Sequence, residues 1–295
     1  MPRTLILRPP AKINLTLRVG PRRADGFHDV RTLMQSIAIC DTMALSTRSG
    51  PFSLNVRGLG VPTDRENLVW RAAELLWRAS GRDGEPRDVH VHLDKTIPTA
   101  AGLGGGSADA AAALVGLNVI WNMRRTRAQL IGLAASLGSD VPFFLHGGTA
   151  LCAGRGEEIY PVDDSARLGI IVVKPSFGVA TADAYRWLDD DREMRPDDVP
   201  RSSGLDLGWP SGPIDVVNDL EGPVAKRLPV IAEIAEACRH AGARAAAMTG
   251  SGSSVFAAFS EPAAKRALRR LRRPDWLVML TRTLTRREAG RRIGL

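Results

Sequence analysis

Residues 98 to 114 read PTAAGLGGGSADAAAAL and set Gly102, Gly104, Gly105 and Gly106 within five positions, directly ahead of Ser107 and a run of strong helix formers. Glycine lets a backbone turn through positive φ and lets N–H groups approach a ligand with no Cβ in the way. Ser107 stands where a helix N-cap belongs, and the alanines after it propagate a helix. A loop of free N–H groups feeding a helix N-terminus favours negative charge, through unpaired donors and through the macrodipole. Phosphate is the expected occupant; the plainer reading is a flexible turn before a core helix. No Gly-Lys-Ser/Thr ending follows, so this is not a Walker A loop, and the G-x-G-x-x-G spacing breaks at Ser107.

Three further stretches invite chemistry. Thr249-Gly250-Ser251-Gly252-Ser253-Ser254 offers hydroxyls and free N–H groups for a second anion contact, although a tight hairpin would use the same glycines. Ser139-Asp140-Val141-Pro142 sets an acid at a helix end before an apolar run. That acid is either a cap for the next turn or a catalytic carboxylate at a cleft, and both readings stay open. His90 and His92 share one face of a strand, but two imidazoles do not make a metal site, and a solvated or hydrogen-bonded pair is preferred.

The elements around these stretches follow from periodicity. Segments near 5–7, 13–19, 30–39, 42–47 and 52–56 are β-like, which predicts a mainly antiparallel sheet first. Residues 66–80 repeat apolar side chains at helical spacing, with Asp64 as a candidate cap. Residues 89–93 alternate as V-H-V-H-L and deliver the chain into the glycine loop, so the loop joins a strand to a helix. A helix over 127–137 stops at Gly138. Residues 189–213, rich in Asp, Pro, Gly and Ser, read as a long surface connection. Beyond it come a helix near 224–240, strands near 245–248 and 255–259, a helix near 262–271 and a strand near 277–281. With a strand over 168–173 these form a second α+β domain beginning near residue 165.

Length and composition bound the rest. A chain of 295 residues suffices for one large domain or two ordinary ones. The net charge of +8 is carried mostly by arginine and gathers toward the C-terminal third. Basic tails bind nucleic acid through counterion release, but only Trp276 is there to stack on bases, so solvated helix faces are the preferred reading. Cys40, Cys152 and Cys238 are widely spaced and form no C-x-x-C pair, as expected of reduced thiols. No signal-peptide pattern and no membrane-length apolar run occur, so a cytoplasmic protein is expected.

Four phrases stand together: PAKINLTLRVG at 10–20, ADGFHDV at 24–30, the glycine loop, and MTGSGSSVFAAF at 248–259. Over nearly the full length the chain resembles the GHMP kinases, the small-molecule kinases that include galactokinase, homoserine kinase and mevalonate kinase. The loop alone indicates that superfamily. The PAKINL opening and the Gly-Phe-His phrase, supported by Gly-Ser-Asp-Val-Pro, resemble members whose acceptor is a cytidyl-diphosphate-linked methylerythritol.

The resemblance implies a two-domain GHMP kinase fold of α+β class. Residues 1–165 would form a ribosomal-protein-S5-like domain and 166–295 a ferredoxin-like domain, with the active site in the cleft between. It implies ATP as co-substrate with Mg2+, and transfer of the γ-phosphoryl group to a 2-hydroxyl in the non-mevalonate route to isoprenoid precursors. Lys12 and Asp140 fall on the catalytic pair. Pro98, Thr99, Ala100, Ala101, Gly102, Leu103, Gly104, Gly105, Gly106, Ser107 and Ala108 fall on the loop that wraps the ATP phosphates, and Asn67 and Lys95 on segments lining the nucleotide pocket. Asn14, Phe27, His28, Thr181 and Tyr185 match positions that hold the cytidyl substrate, with Phe27 and Tyr185 as the faces of a cytosine slot and His28 at its edge. No metal ligand is assigned.

The chain departs from the family where Phe27 replaces the usual tyrosine, Ala108 a common serine and Ser139 the usual alanine. The expected partner is a small molecule, with no nucleic acid and no membrane, and the protein a monomer or homodimer. The competing readings are a kinase for another small alcohol such as homoserine or mevalonate, and a basic RNA-binding α+β module.

Overall fold

The computed structural model describes residues 4–58, 60–164, 167–194 and 216–295. The first half runs β1 (Thr4–Leu7), β2 (Pro10–Arg22), β3 (His28–Cys40), β4 (Thr42–Pro51), β5 (Ser53–Arg57), α1 (Leu68–Ala79), β6 (Arg87–Asp94), α2 (Gly105–Ile120), α3 (Arg127–Leu137), α4 (Val141–His146), β7 (Thr149–Ala153) and β8 (Glu158–Pro161). The second runs β9 (Gly169–Pro175), α5 (Thr181–Glu193), β10 (Val217–Asn218), α6 (Glu221–Arg227), α7 (Val230–His240), β11 (Ala245–Met248), β12 (Val255–Phe259), α8 (Glu261–Leu271), β13 (Trp276–Arg282) and α9 (Arg286–Ile293).

The five early strands do not share one sheet. One sheet has the order β1-β4-β6-β5, with β5 parallel to β6, and another the order β10-β2-β3-β7-β8. The chain passes from one to the other at Asp41, the single residue between β3 and β4. That corner is held by charge: Asp41 is fully buried, its carboxylate accepts from the Thr96 N–H at 2.5 Å and the Ile97 N–H at 2.8 Å, and it pairs with Lys95.

Helix α2 is the centre of the first half. Ala108 to Leu117 are all buried, and a helix apolar around its whole circumference belongs inside a protein. Alanine and Gly116 keep it slim, so α1, α4 and β4 pack directly on it. The third sheet, β11-β12-β9-β13, is antiparallel throughout. Strand β9 is apolar on both faces because both are covered. Ile171 and Val173 face a core shared with Ile231 and Ile234 of α7, and Ile170 and Val172 join Ala11, Ile13, Leu33 and Ile37 of β2 and β3. The two halves therefore meet through a continuous apolar seam, with β2 on one side of it.

Several expectations are corrected. Helix α2 starts at Gly105 with Gly104 as its N-cap, so Ser107 lies inside the first turn and does not cap. Helix α1 is capped by Asn67, whose Oδ1 accepts from the Val69 N–H at 2.9 Å, and Asp64 accepts from the Glu66 N–H instead. The helix expected near 224–240 is two, α6 and α7, separated at Leu228 and Pro229. Residues 189–193 of the expected surface connection are the last turn of α5; residues 195–215 lie outside the described residues. No helix among the described residues is long and apolar enough to cross a membrane.

Candidate active site

Strand β2 supplies the first side chains. Lys12 and Asn14 alternate with buried Ala11, Ile13 and Leu15, so both point away from the seam on one face of the strand. A buried ammonium requires partners. Lys12 Nζ donates to Asn14 Oδ1 at 2.7 Å and lies 3.3 Å from Asp140 Oδ2. Asn14 is fixed in turn: its Nδ2 donates to Thr32 Oγ1 at 2.7 Å and its backbone N–H to Thr249 Oγ1 at 3.0 Å. Asp140 sits just before α4, yet its side chain makes no capping hydrogen bond. Its carboxylate, about a third exposed, is therefore free to face the cleft beside Lys12.

The glycine loop closes over this pair. The Lys12 N–H donates to Leu103 O at 3.0 Å, tying loop to strand. Gly104 adopts φ 69°, the left-handed conformation that suits glycine, and turns the chain into α2 with no side-chain cap. The first-turn N–H groups of α2 thus lack intrahelical acceptors and open onto a cavity of about 370 Å³. Lys12, Asn14, Lys95, every residue from Pro98 to Ser107, Asp140, Thr181, Tyr185 and Gly250 to Gly252 line it. The second glycine loop therefore does reach the same cleft, as a facing wall. Gly102 packs so tightly against it that a Cβ there would lie 1.9 Å from Thr249 O.

Beneath the loop lies a charge cluster that sequence reasoning missed. Lys95 Nζ donates to Asp109 Oδ2 at 2.6 Å and to Asp41. Burial pushes the Asp109 carboxyl up to about 8, opposed by Lys95 and reinforced by the charge of Asp41. The signal was present: an aspartate inside an alanine helix is an acid in a core position, and buried polar groups need partners. Lys95 lines the cavity, but its ammonium is committed to Asp41 and Asp109 and anchors the loop entry.

A second cavity, of about 810 Å³, adjoins the first and is lined by Phe27, His28, Asp140, Arg155, Thr181, Tyr185 and Asp189 among others. Phe27 is about half exposed. The aromatic set is arranged differently from the expected slot. His28 is buried and packs on Tyr185, ring centroids 5.1 Å apart at 32°, and its Nε2 lies 2.9 Å from Asp189 Oδ1. Burial raises the Tyr185 phenol well above its usual range, so it stays neutral. The Arg155 guanidinium lies 5.0 Å from the Phe27 ring centroid.

Two expected site residues stand apart. Asn67 does not line the nucleotide cavity: its Oδ1 caps α1 and its Nδ2 donates to Pro62 O at 2.7 Å. Ala108 is fully buried behind the loop. His90 bonds Ser53 Oγ at 2.8 Å and His92 faces Asp94 at 3.3 Å, and no His/Cys/Asp/Glu cluster fit for a metal occurs among the described residues.

The chain is similar to proteins of a known family. Residues 67–148 match the model for the GHMP kinases N terminal domain, and residues 204–274 the model for GHMP kinases C terminal. The chain is 44% identical over 286 residues to the 4-diphosphocytidyl-2-C-methyl-D-erythritol kinase of Pelotomaculum thermopropionicum, covering 94% of this chain and 97% of that protein. It is 41% identical to the enzyme of the same name from Moorella thermoacetica, covering 92% and 96%. Among solved structures it is similar to a 4-(cytidine 5'-diphospho)-2C-methyl-D-erythritol kinase, with 33% identity, a TM-score of 0.76 and coverage of 95% and 99%. A homoserine kinase from Cytophaga hutchinsonii, at 17% identity, 96% and 95% coverage and TM-score 0.71, shares the fold alone.

Proposed function

The chain belongs to the GHMP kinases, among the 4-diphosphocytidyl-2-C-methyl-D-erythritol kinases, and from that premise we propose that it moves the γ-phosphoryl group of ATP onto the 2-hydroxyl of 4-diphosphocytidyl-2-C-methyl-D-erythritol. This is a step toward isoprenoid precursors. The observation that carries the reading is the Lys12–Asp140 pair at 3.3 Å, standing where a cavity walled by unpaired helix N–H groups meets a cavity lined by aromatic rings.

Phosphoryl transfer leaves the protein mainly with positioning and charge stabilisation. The Pro98–Ser107 loop and the first turn of α2 hold the phosphates. Asp140 accepts the acceptor's hydroxyl proton as its oxygen bonds to the γ-phosphorus; the bond from that phosphorus to the bridging oxygen breaks, and ADP leaves with the electron pair. The Lys12 ammonium, oriented by Asn14, offers positive charge to the attacking oxygen. Phe27, His28, Thr181 and Tyr185 hold the cytidyl end, while Asn14 serves the acceptor from the nucleotide side through Lys12. We read residues 1–165 and 166–295 as the two domains that flank the site, with β10 and α9 of the second returning to pack on the first.

Magnesium typically binds through one or two carboxylates, water and substrate phosphates. The oxygen donors present fit that requirement: Ser107 and Asp140 line both cavities beside the cradle and would hold the ion. When bound it neutralises phosphate charge.

Incubating the purified protein with ATP and, separately, the cytidyl substrate, homoserine and mevalonate tests the reading. Phosphorylation of the first alone is expected; turnover of homoserine or mevalonate with none of the cytidyl compound refutes it. Asp140→Ala should lose ~10²-fold or more in kcat with the fold intact by circular dichroism. An RNA-binding module has little support, since arginines of the basic C-terminal region serve the fold: Arg286 donates to Val162 O at 2.6 Å and Arg282 pairs with Glu288 at 2.9 Å.

A further inference from the structure

The turn between β7 and β8 presents a guanidinium that neither motif nor cradle accounts for. Residues 154–157 read Gly-Arg-Gly-Glu. The turn is pinned on two sides, with the Val30 N–H donating to Gly154 O at 2.7 Å and the Gly156 N–H donating to Ala153 O at 2.9 Å. It also lies against the segment leading into Asp140, since a Cβ on Gly156 would sit 3.6 Å from Ser139 Cβ. Among the described residues, six line both cavities: Val30, Ser107, Asp140, Arg155, Thr181 and Tyr185. Arg155 is the cation of that set.

Its donors are only partly used. Glu157 takes the Arg155 backbone N–H on Oε2 at 2.7 Å and faces Nε with Oε1 at 3.4 Å. The two terminal amino groups make no hydrogen bond to the described protein, and the side chain is 38% exposed. The other arginines lining the aromatic cavity are engaged or remote from the junction: Arg186 pairs with Asp183 at 2.7 Å, and Arg22 reaches Gly26 O at 3.4 Å and does not line the nucleotide cavity. A planar fork with free amino groups matches phosphate oxygens two at a time.

An acceptor whose base sits in the aromatic cavity and whose hydroxyl meets Asp140 must carry its linker across the boundary between the cavities. In a cytidyl-diphosphate ester that linker is the anionic diphosphate. We propose that Arg155 binds the acceptor's diphosphate linker and thereby selects an acceptor that carries one. The inference rests on the function proposed above and names a specificity determinant for it. Glu157 holds the guanidinium at the boundary, and Phe27 packs beneath it.

Titration calorimetry separates this role from support of the aromatic ring. CDP and cytidine are titrated into wild type, Arg155→Ala and Arg155→Lys, with ADP saturating so that the nucleotide cavity is filled. In Arg155→Ala the affinity for CDP should fall ~10-fold, about 1.4 kcal/mol, while that for cytidine changes by less than ~2-fold, and lysine should restore part of the loss. In turnover, KM for the cytidyl substrate should rise by a similar factor, with kcat and the KM for ATP within ~2-fold. Equal losses for CDP and cytidine would assign Arg155 to packing on Phe27 and overturn the proposal. So would unchanged CDP affinity in a folded variant, or a rise confined to the KM for ATP. If wild type binds CDP through Arg155 yet does not phosphorylate the cytidyl substrate, the reaction assigned above fails while the diphosphate contact stands.

Discussion

Gly106 separates what the fold needs from what a ligand needs. It lies in the first turn of α2, exposed on the wall of the nucleotide cavity, and a Cβ there would meet only Leu68 Cδ1 at 3.7 Å, an ordinary contact. Gly106→Ala therefore introduces no clash. Because alanine restricts the unfolded chain and suits a helix, the change should stabilise by about 0.4–1 kcal/mol, raising Tm by roughly 1–4 °C in a protein of this size. The same methyl projects where the phosphates are to meet the helix N–H groups. Loss of one hydrogen bond to a charged group costs about 1.5–3 kcal/mol, so the KM for ATP should rise by ~10- to ~150-fold. Thermal melting and initial rates with ATP varied at saturating acceptor measure both effects on one protein. A raised Tm with an unchanged KM for ATP would show that the first turn of α2 does not hold phosphate. Gly102→Ala is the contrast: its φ of 72° and the approach to Thr249 O predict a fall in Tm before any question of binding arises.

Two further outcomes follow from the site. Phe27→Ala should raise the KM for the cytidyl substrate by ~5- to ~150-fold, the worth of stacking one base at roughly 1–3 kcal/mol, while leaving kcat nearly intact; an unchanged KM would move the base elsewhere. The buried Asp109 carboxyl titrates near 8 in the folded protein because burial disfavours its charge, and near 3.8 otherwise. Between those values the native state holds a proton that the unfolded chain has released, so this group's contribution to stability is full below pH 3.8 and declines as pH rises toward 8. Asp109→Asn should flatten the decline in urea-unfolding free energy between pH 6 and 8, and an identical slope in both proteins would refute the assignment.

The parts of the molecule that obey a strong period could be read in advance, and those governed by tertiary contact could not. Helix α3 runs over the expected residues, because Thr126 and Gln129 cap it reciprocally and Gly138 ends it. The start of α2 departs from expectation because serine is the usual cap, whereas a left-handed Gly104 leaves the first-turn donors free. Helix α5 was hidden by Asp189, Asp190 and Asp191, which read as loop although Ala184 and Leu188 give it a buried face. Helix α9 carried a legible sign, the Thr285 and Glu288 capping box, within a stretch that composition marked as merely basic. The division of the early strands into two sheets depends on the buried pairing of Asp41 with Lys95, more than fifty residues apart, which no local pattern encodes. At the site, the glycine loop, Lys12 and Asp140 were legible as types and motifs. Arg155 and Asp189 were not, because each matters only through the neighbours that folding brings to it.

Helix α9 returns to the beginning of the chain. The Arg8 N–H donates to Arg292 O at 2.7 Å, and Ile293 is buried in the same core as Leu7 and Val115. Strand β10 likewise adds to β2 from beyond residue 215. The first core is thus completed by segments that the chain supplies last, and a fragment cut before β10 leaves Leu7, Val115 and the edge of β2 without their covers.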